Sequence, residues 1–206
     1  MGDDRERVSA PAFWDGLYAH GEDGWELGEP AAPLVAWLAA GHSLGPRGAR
    51  VIVPGCGRGH DVRLLARHGY RAHGVDFAAA AVAEARALAA ADGVDAEFAQ
   101  RDVFTLAAEH REAFDAAWEY TCFCAIDPAR RPEYVAMLRA ILKPGGTLLG
   151  CFYPLREGED GPPFPVSRAE IERLLGVGFR IVESAEPAVS VERRRGLEWM
   201  IQAMRV

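Results

Sequence analysis

The sequence contains no apolar run that approaches the roughly 20 residues needed to cross a bilayer. Its opening residues, MGDDRERVSA, are acidic and polar and lack the apolar core of a secretory signal. Gly2 stands where N-terminal myristoylation occurs, but acidic residues follow it and nothing basic supports an anchor. We therefore expect a cytoplasmic protein that is not attached to a membrane.

Positive charge is also scarce, because 23 Lys and Arg stand against 30 Asp and Glu, for a net charge of -7. Lys143 is the only lysine, and the only basic run, Arg193–Arg195, is too short for a duplex-binding surface. Proteins that bind nucleic acid through its phosphates present a broad basic surface. A small molecule is therefore the expected partner, and nucleic acid is not.

Cysteine is limited to Cys56, Cys122, Cys124 and Cys151, all in or beside apolar segments, and their spacing fits no zinc pattern. Free cysteines in such segments are usually small buried hydrophobes. Cys122 and Cys124 would point the same way on a strand, so a metal or redox pair stays open beside simple packing. With no other ligand cluster visible, we expect no metal.

Strands and helices alternate from Arg50 onward. The pattern predicts strands at Arg50–Pro54, Arg71–Asp76, Ala96–Arg101, Phe114–Tyr120, Thr147–Tyr153, Phe179–Ser184 and Leu197–Met204. It predicts helices at His60–His68, Ala78–Ala91, Pro132–Leu142 and from a capping box at Ser167 and Glu170 to about Leu175. Such alternation predicts an α/β fold, a mostly parallel sheet with helices on both faces.

The length of 206 residues fits one domain, and we expect a single domain over residues 1–206, as a monomer or weak homodimer. Its core is residues 50–206. The N-terminal segment, residues 1–41, lies ahead of that core and carries Phe13, Trp14, Tyr18, Trp25 and Trp37. A mobile lid over the ligand site and a helical brace packed on the domain are both consistent with this segment.

The first predicted strand enters a glycine loop, residues 55–59, with the sequence Gly-Cys-Gly-Arg-Gly. Gly55 and Gly57 let the backbone turn tightly beside a ligand. Asp76 ends the next strand, where a carboxylate accepts hydrogen bonds from ribose hydroxyls, and Asp102 with Val103 follows the third strand, where adenine would lie. A nicotinamide site needs Gly-x-Gly-x-x-Gly, whereas the third glycine here comes one residue early. S-adenosylmethionine is therefore the expected ligand.

Several longer segments carry a more specific likeness. They are Val53–Asp61, Asp102–Thr105, Tyr120–Pro128, Arg131-Pro132, Leu142–Gly146, Tyr153-Pro154 and Gly161–Phe164. In this order the chain resembles the thiopurine S-methyltransferase superfamily, and within it is most similar to the plant halide and thiol methyltransferases. The resemblance implies a class I methyltransferase Rossmann-like fold, a seven-stranded sheet with one antiparallel strand.

The resemblance also implies roles for individual residues. The family's S-adenosylmethionine-binding positions correspond to Trp14, Tyr18, Trp25, Gly55, Asp76, Asp102, Val103 and Tyr120. Tyr18 stands where the plant enzymes have Trp. Arg131 matches an arginine near the active site of the thiopurine branch, and Tyr153 matches a tyrosine facing the acceptor pocket of the halide branch.

The implied reaction is in-line displacement of the methyl group by a thiol, hydrosulfide, thiocyanate or halide, which needs no general base. His60 could be a base or could cap a helix, and Glu119 could bind the donor's amino group or lie on the surface. Arg131 could attract an anionic acceptor or pair with Glu133 or Asp127. O- or N-methylation of a metabolite, and donor binding without catalysis, remain alternatives.

Overall fold

A computed structural model describes residues 3–206, so the question of a lipid on Gly2 lies outside the described residues. The strands are β1 (Arg50–Pro54), β2 (Arg71–Asp76), β3 (Glu97–Gln100), β4 (Phe114–Tyr120), β5 (Leu142–Phe152), β6 (Phe179–Ala185) and β7 (Trp199–Arg205). The helices are α1 (Asp3–Arg7), α2 (Pro11–His20), α3 (Ala32–Ala39), α4 (His60–Arg67), α5 (Ala79–Ala91), α6 (Leu106–Glu109), α7 (Arg131–Ile141) and α8 (Arg168–Leu175). No helix within this range is long and apolar enough to cross a membrane.

All seven strands form one sheet in the order β3-β2-β1-β4-β5-β7-β6. The first five strands pair in parallel, whereas β7 runs antiparallel to both β5 and β6. The predicted seven-stranded sheet with one antiparallel strand is therefore confirmed. From β1 the next two strands are added on one side and β4 and β5 on the other, so the strand order reverses between β1 and β4. Ligands of open α/β sheets bind at such a point, beyond the carboxyl ends of the strands.

Neighbouring strand residues face opposite sides of the sheet and fill two separate cores. Val51 and Val53 pack with α3, α4 and α5 on one face, whereas Ile52 packs with α6, α7 and α8 on the other. On β4, Trp118 and Phe114 are fully buried on opposite faces. Burying a large apolar side chain contributes about 1.5–3 kcal/mol, so the central strands hold the site's loops on a rigid base.

Besides shifts of one or two residues at element ends and short helices that were not predicted, three differences from the expected elements stand out. β5 begins at Leu142 rather than Thr147, because Leu142 pairs with Phe114 before a bulge shifts the register. Helix α3 within the N-terminal segment packs on the sheet through Leu34 and Leu38, so the segment is not a single covering element. Only half of the capping box forms, since Ser167 Oγ accepts from the Glu170 N–H while the Glu170 carboxylate pairs with another residue.

Candidate active site

A cavity of about 540 Å³ opens at the carboxyl ends of β1, β2 and β4. The glycine loop, Asp76 and the residues after β3 form one wall. The residues after β4, with Tyr153 and the turn before β7, form the opposite wall. Helix α2 and residues 22–28, which we call the strap, lie across the opening. Two walls and a cover thus enclose a space of the size typical of small-molecule sites.

The glycine loop requires glycine for two separate reasons. Gly55 and Gly57 have φ angles of +61° and +51°, a backbone region that side chains disfavour. A Cβ on Gly55 would lie 2.8 Å from the Cβ of Cys122, and one on Gly57 would lie 3.1 Å from the Tyr18 hydroxyl. The protein's own packing therefore requires glycine at both positions, and their close approach to a ligand stays a prediction.

Asp76 offers a carboxylate with unused acceptor capacity to the cavity. Its oxygens accept from the N–H groups of Gly57, at 2.8 Å, and Ala78, at 2.9 Å. Two oxygens have about four lone-pair sites, so each can accept one more hydrogen bond. Burial raises the pKa of Asp76, since the carboxylate loses water without gaining a cation. A ligand with two adjacent hydroxyls would supply the missing donors.

Asp102 and Val103 line the same wall, next to Phe104. Oδ1 of Asp102 accepts from the Phe104 N–H at 3.0 Å, which begins a short 3-10 turn. Val103 is buried at the cavity floor. This is the order expected for holding a flat heterocycle: an acceptor at its edge and apolar groups on its face.

Aromatic side chains of α2 and the strap form the roof of the cavity. The Trp25 ring packs edge-on against Trp14 and Tyr18, with centroids 5.5 and 5.6 Å away. Trp25 Nε1 donates to the Tyr18 hydroxyl at 3.3 Å, and Trp14 Nε1 donates to the Val8 carbonyl at 2.9 Å. Ring faces of this kind attract cations, a sulfonium included, and exclude water.

Arg194 is a buried cation on the opposite wall, in the 3-10 turn before β7. Its guanidinium lies over the rings of Tyr120 and Tyr153, at 5.0 and 4.8 Å from their centroids. Nη2 donates to the Trp25 carbonyl at 2.9 Å, whereas Nη1 has no hydrogen-bond partner among the described residues. Tyr120 in turn donates to the buried carboxylate of Glu198 at 2.6 Å. Arg194 therefore brings a positive charge to this wall without a direct ion pair, while the carboxylates of Asp61 and Glu198 lie nearby.

Two of the predicted site residues do not line the cavity. Glu119 is 1% exposed, and its oxygens accept from the Phe123 N–H at 2.8 Å and from the Tyr134 hydroxyl. Arg131 is 2% exposed and pairs with Glu170 at 2.8 Å, rather than with Glu133 or Asp127. Both groups are occupied behind the wall. All the other predicted site residues line the cavity. They are Trp14, Tyr18, Trp25, Gly55, Gly57, Asp76, Asp102, Val103, Tyr120 and Tyr153.

His60 lies at the cavity edge with both ring nitrogens beside charged groups. Nε2 is 3.0 Å from Oε1 of Glu26, and Nδ1 is 2.7 Å from a guanidinium nitrogen of Arg63. The ring therefore joins the strap to α4. Cys122 and Cys124 follow β4 instead of lying on a strand, and burial raises the pKa of Cys124 to about 12. No group of three potential metal ligands occurs in residues 3–206.

Thr121, at the end of β4, has an unusual backbone conformation and lines the cavity. Its φ angle is +68°, which is rare for a β-branched residue and is found mainly where function requires it. Neither Thr121 nor Arg194 was predicted as a site residue from the sequence. The run Arg193–Arg195 could have pointed to Arg194, but it was considered only as a surface for nucleic acid, for which it is too short.

Comparison with known proteins places the chain among methyltransferases. The sequence model of the family described as Thiopurine S-methyltransferase matches residues 9–206. "Probable thiol methyltransferase 2" of Arabidopsis thaliana is 35% identical over 188 residues, which cover 90% of this chain and 81% of that protein. "Thiopurine S-methyltransferase" of Pseudomonas paraeruginosa is 30% identical over 212 residues, covering 93% and 95%.

Solved structures share the fold at lower identity. A protein studied for conversion of a disulfide bond into a thioacetal group during echinomycin biosynthesis has a TM-score of 0.76 at 23% identity, covering 95% of this chain and 92% of that one. Magnesium protoporphyrin IX methyltransferase from Synechocystis has a TM-score of 0.66 at 24% identity, covering 84% and 76%. These matches support the class I methyltransferase architecture.

Proposed function

Because the chain belongs to the thiopurine S-methyltransferase family and is an S-adenosylmethionine-dependent methyltransferase, we propose that its methyl acceptor is a small soft nucleophile. Thiols, hydrosulfide, thiocyanate and halides form this class. The observation that carries the proposal is Arg194, a buried cation between Tyr120 and Tyr153 without a paired carboxylate in the described chain. Relatives named thiol and thiocyanate methyltransferases support it.

The residues of the first wall fit the donor. The unused lone pairs of Asp76 suit the two ribose hydroxyls, Asp102 with Val103 suits adenine, and the glycine loop allows close approach of the methionine part. When bound, the donor supplies an electrophilic methyl group on a sulfonium. The aromatic roof would hold that cation by roughly 0.5–2 kcal/mol per ring while keeping water out.

The second wall favours an anionic acceptor. A fixed positive charge in a space that excludes water stabilises thiolates and halides and repels protonated amines. Part of the lining is apolar and includes Phe13, Ile126 and Pro162. A soft, weakly hydrated anion loses little hydration free energy on entering such a space. A thiolate or halide needs no proton removed during the reaction. The wall thus orients the nucleophile and selects by desolvation, and Tyr153 is the aromatic residue that would face it.

Arg131 has a supporting role in this proposal. It donates to the carbonyls of Phe123 and Phe164, at 3.3 and 3.2 Å, and so braces the loop after β4 from behind. Glu119 holds the same loop through the Phe123 N–H. Both residues would influence turnover through the position of the wall and not by touching the acceptor.

The test is a product screen with methyl-labelled S-adenosylmethionine against thiols, hydrosulfide, thiocyanate, iodide, chloride, phenols and amines. Soft anions should react fastest, chloride slowly and amines least. Arg194→Gln should lower turnover of anions far more than it lowers donor affinity. If phenols or amines react fastest, the chain is an O- or N-methyltransferase. Donor binding without turnover of any acceptor would indicate a non-catalytic binding protein.

We also propose that turnover needs no metal ion, that S-adenosylhomocysteine is the released product, and that the protein is a monomer or weak homodimer in the cytoplasm. Displacement at a sulfonium methyl requires no Lewis acid. Activity that is lost in chelator and restored by one divalent ion would contradict the first point. Light scattering over a range of protein concentrations would distinguish a monomer from a weak homodimer.

A further inference from the structure

The strap is held on both sides of the cavity by arginines. On the acceptor side, Arg193 and Arg194 donate to the carbonyls of Gly24, at 2.7 Å, and Trp25, at 2.9 Å. These bonds use backbone atoms, which any strap sequence would provide. On the donor side the strap is held through its own acidic side chains, so the contact depends on sequence.

Arg58, between Gly57 and Gly59 of the glycine loop, makes this second contact. Its guanidinium pairs with Asp23 and lies 3.3 Å from a Glu26 oxygen. It also pairs with Glu84 of α5 at 2.7 Å and lies over the ring of Tyr18, 5.3 Å from its centroid. The side chains of Arg58 and Asp23 are only 17% and 11% exposed. Water screens such a pair less than it screens one on an open surface.

Glu26 is fixed in its charged form at this contact. Burial acts to raise its pKa, but the His60 imidazole, 3.0 Å away, and the hydrogen bond from the Gly28 N–H lower the pKa of Glu26 to about 2. The Glu26 carboxylate therefore faces Arg58 beside that of Asp23. The Tyr18 hydroxyl, beneath Arg58, is the atom that restricts the space at Gly57. Arg58 thus links the strap, the roof and the loop expected to contact the donor.

We propose that Arg58 is a positioning residue that clamps the strap over the donor side of the cavity, so that donor binding and strap closure stabilise each other. The inference rests on the proposed function only in taking S-adenosylmethionine as the donor. A ligand that prefers the closed state favours closure by its difference in affinity for the two states. Closure must then favour the ligand to the same extent.

The first experiment needs no donor. Arg58→Gln removes the charge, and we expect hydrogen exchange of the backbone amides of residues 22–28 to become about three- to tenfold faster in the free protein. Arg205→Gln is the matched control, because Arg205 at the end of β7 is similarly buried, with 13% of its side chain exposed, and pairs with Glu112 at 2.8 Å, away from the strap. Unchanged strap exchange in a folded Arg58→Gln protein would overturn the proposal.

The second experiment measures the coupling with the donor. Stopped-flow release of S-adenosylmethionine should be about three- to tenfold faster in Arg58→Gln, and added salt should speed release from the wild type more than from the variant. Asp23→Asn should reproduce the effect and add little to Arg58→Gln, whereas fully additive effects would overturn the clamp. Wild-type protein that binds no donor would refute the proposed function, and the clamp would still be judged by exchange.

If Arg58→Gln does not fold, Arg58→Lys serves instead. Lysine keeps the charge but lacks the planar fork that contacts several carboxylates together. Its strap exchange should fall between those of the wild type and Asp23→Asn. Wild-type exchange in both Arg58→Lys and Asp23→Asn would refute the clamp.

Discussion

The buried carboxyl of Glu119 should make the protein less stable as pH rises through neutrality. Burial raises the pKa of Glu119 from 4.5 to about 7, against the hydrogen bonds from Tyr134 and the Phe123 N–H that favour its charged form. In the unfolded chain the group ionises near its ordinary value. Between those two pH values the unfolded chain releases a proton that the folded protein keeps.

The sign and size of the effect follow from this difference. Because the folded pKa is the higher one, the group's contribution to stability is fully present at low pH and is lost as pH rises through about 7. The gap between 4.5 and about 7 corresponds to about 3 kcal/mol in total. Of this, about 2–3 kcal/mol should be lost between about pH 5 and about pH 8.

Glu119→Gln tests this directly, because the amide resembles the protonated acid and cannot ionise. Its oxygen can still accept from the Phe123 N–H, and its NH₂ can donate to the Tyr134 hydroxyl. Urea unfolding followed by circular dichroism at about pH 5 and about pH 8 gives the free energy of unfolding of each protein. Between these pH values the free energy of unfolding should fall by about 2–3 kcal/mol more for the wild type than for the variant.

Other buried acids make the comparison between proteins necessary. Burial also raises the pKa values of Asp61 and Asp76, so the wild type's own pH dependence has several sources. Subtracting the variant removes these shared contributions. Glu172→Gln, at an exposed carboxylate on α8, controls for the loss of one negative charge. Equal losses in the wild type and Glu119→Gln would show that Glu119 is not held as a neutral acid.

Four further predictions concern the cavity. Asp76→Asn should weaken S-adenosylmethionine binding about tenfold or more, because charge-assisted hydrogen bonds contribute roughly 1.5–3 kcal/mol, and unchanged affinity by calorimetry would contradict the assignment. Gly57→Ala should lower donor affinity and the free energy of unfolding by about 1 kcal/mol, because the φ angle of Gly57 is +51° and an added Cβ would meet Tyr18. Unchanged stability and affinity would mean that the loop relaxes. Thr121→Gly should raise stability by about 1 kcal/mol while lowering turnover, and a loss of stability would argue against strain. Tyr153→Phe should change the ratio of iodide to thiol turnover if the hydroxyl positions the acceptor, whereas an unchanged ratio would make the ring alone responsible.

The sheet and the first wall could be predicted because their signals are local in sequence. β2 and β4 were predicted with their observed bounds from short apolar runs ended by polar or glycine residues. Asp76 and Asp102 follow strands of a parallel sheet, and such positions meet at one edge in any fold of this class. The prediction therefore needed only the order of elements and not their packing.

The second wall could not be predicted this way, because its residues are brought together by contacts far apart in sequence. Arg194 and Trp25 are 169 positions apart, and no periodic pattern relates them. Glu119 ends a strand beside Tyr120, yet its side chain points to the opposite face, behind the cavity. Arg131 was expected either to attract an anionic acceptor or to pair with Glu133 or Asp127, whereas the packing of α7 against α8 gives it Glu170.

Several unfavourable features of the fold lie on this second wall or directly behind it. Thr121 has a left-handed backbone, Glu119 is a carboxyl dehydrated by burial, and Arg194 is a buried cation with an unpaired nitrogen. Each costs free energy that an apolar or glycine substitute would avoid. Natural sequences keep such costs where activity depends on them. The wall proposed for the donor uses ordinary strand-end geometry, so we expect the distinctive chemistry of this protein to come from the wall proposed to face the acceptor.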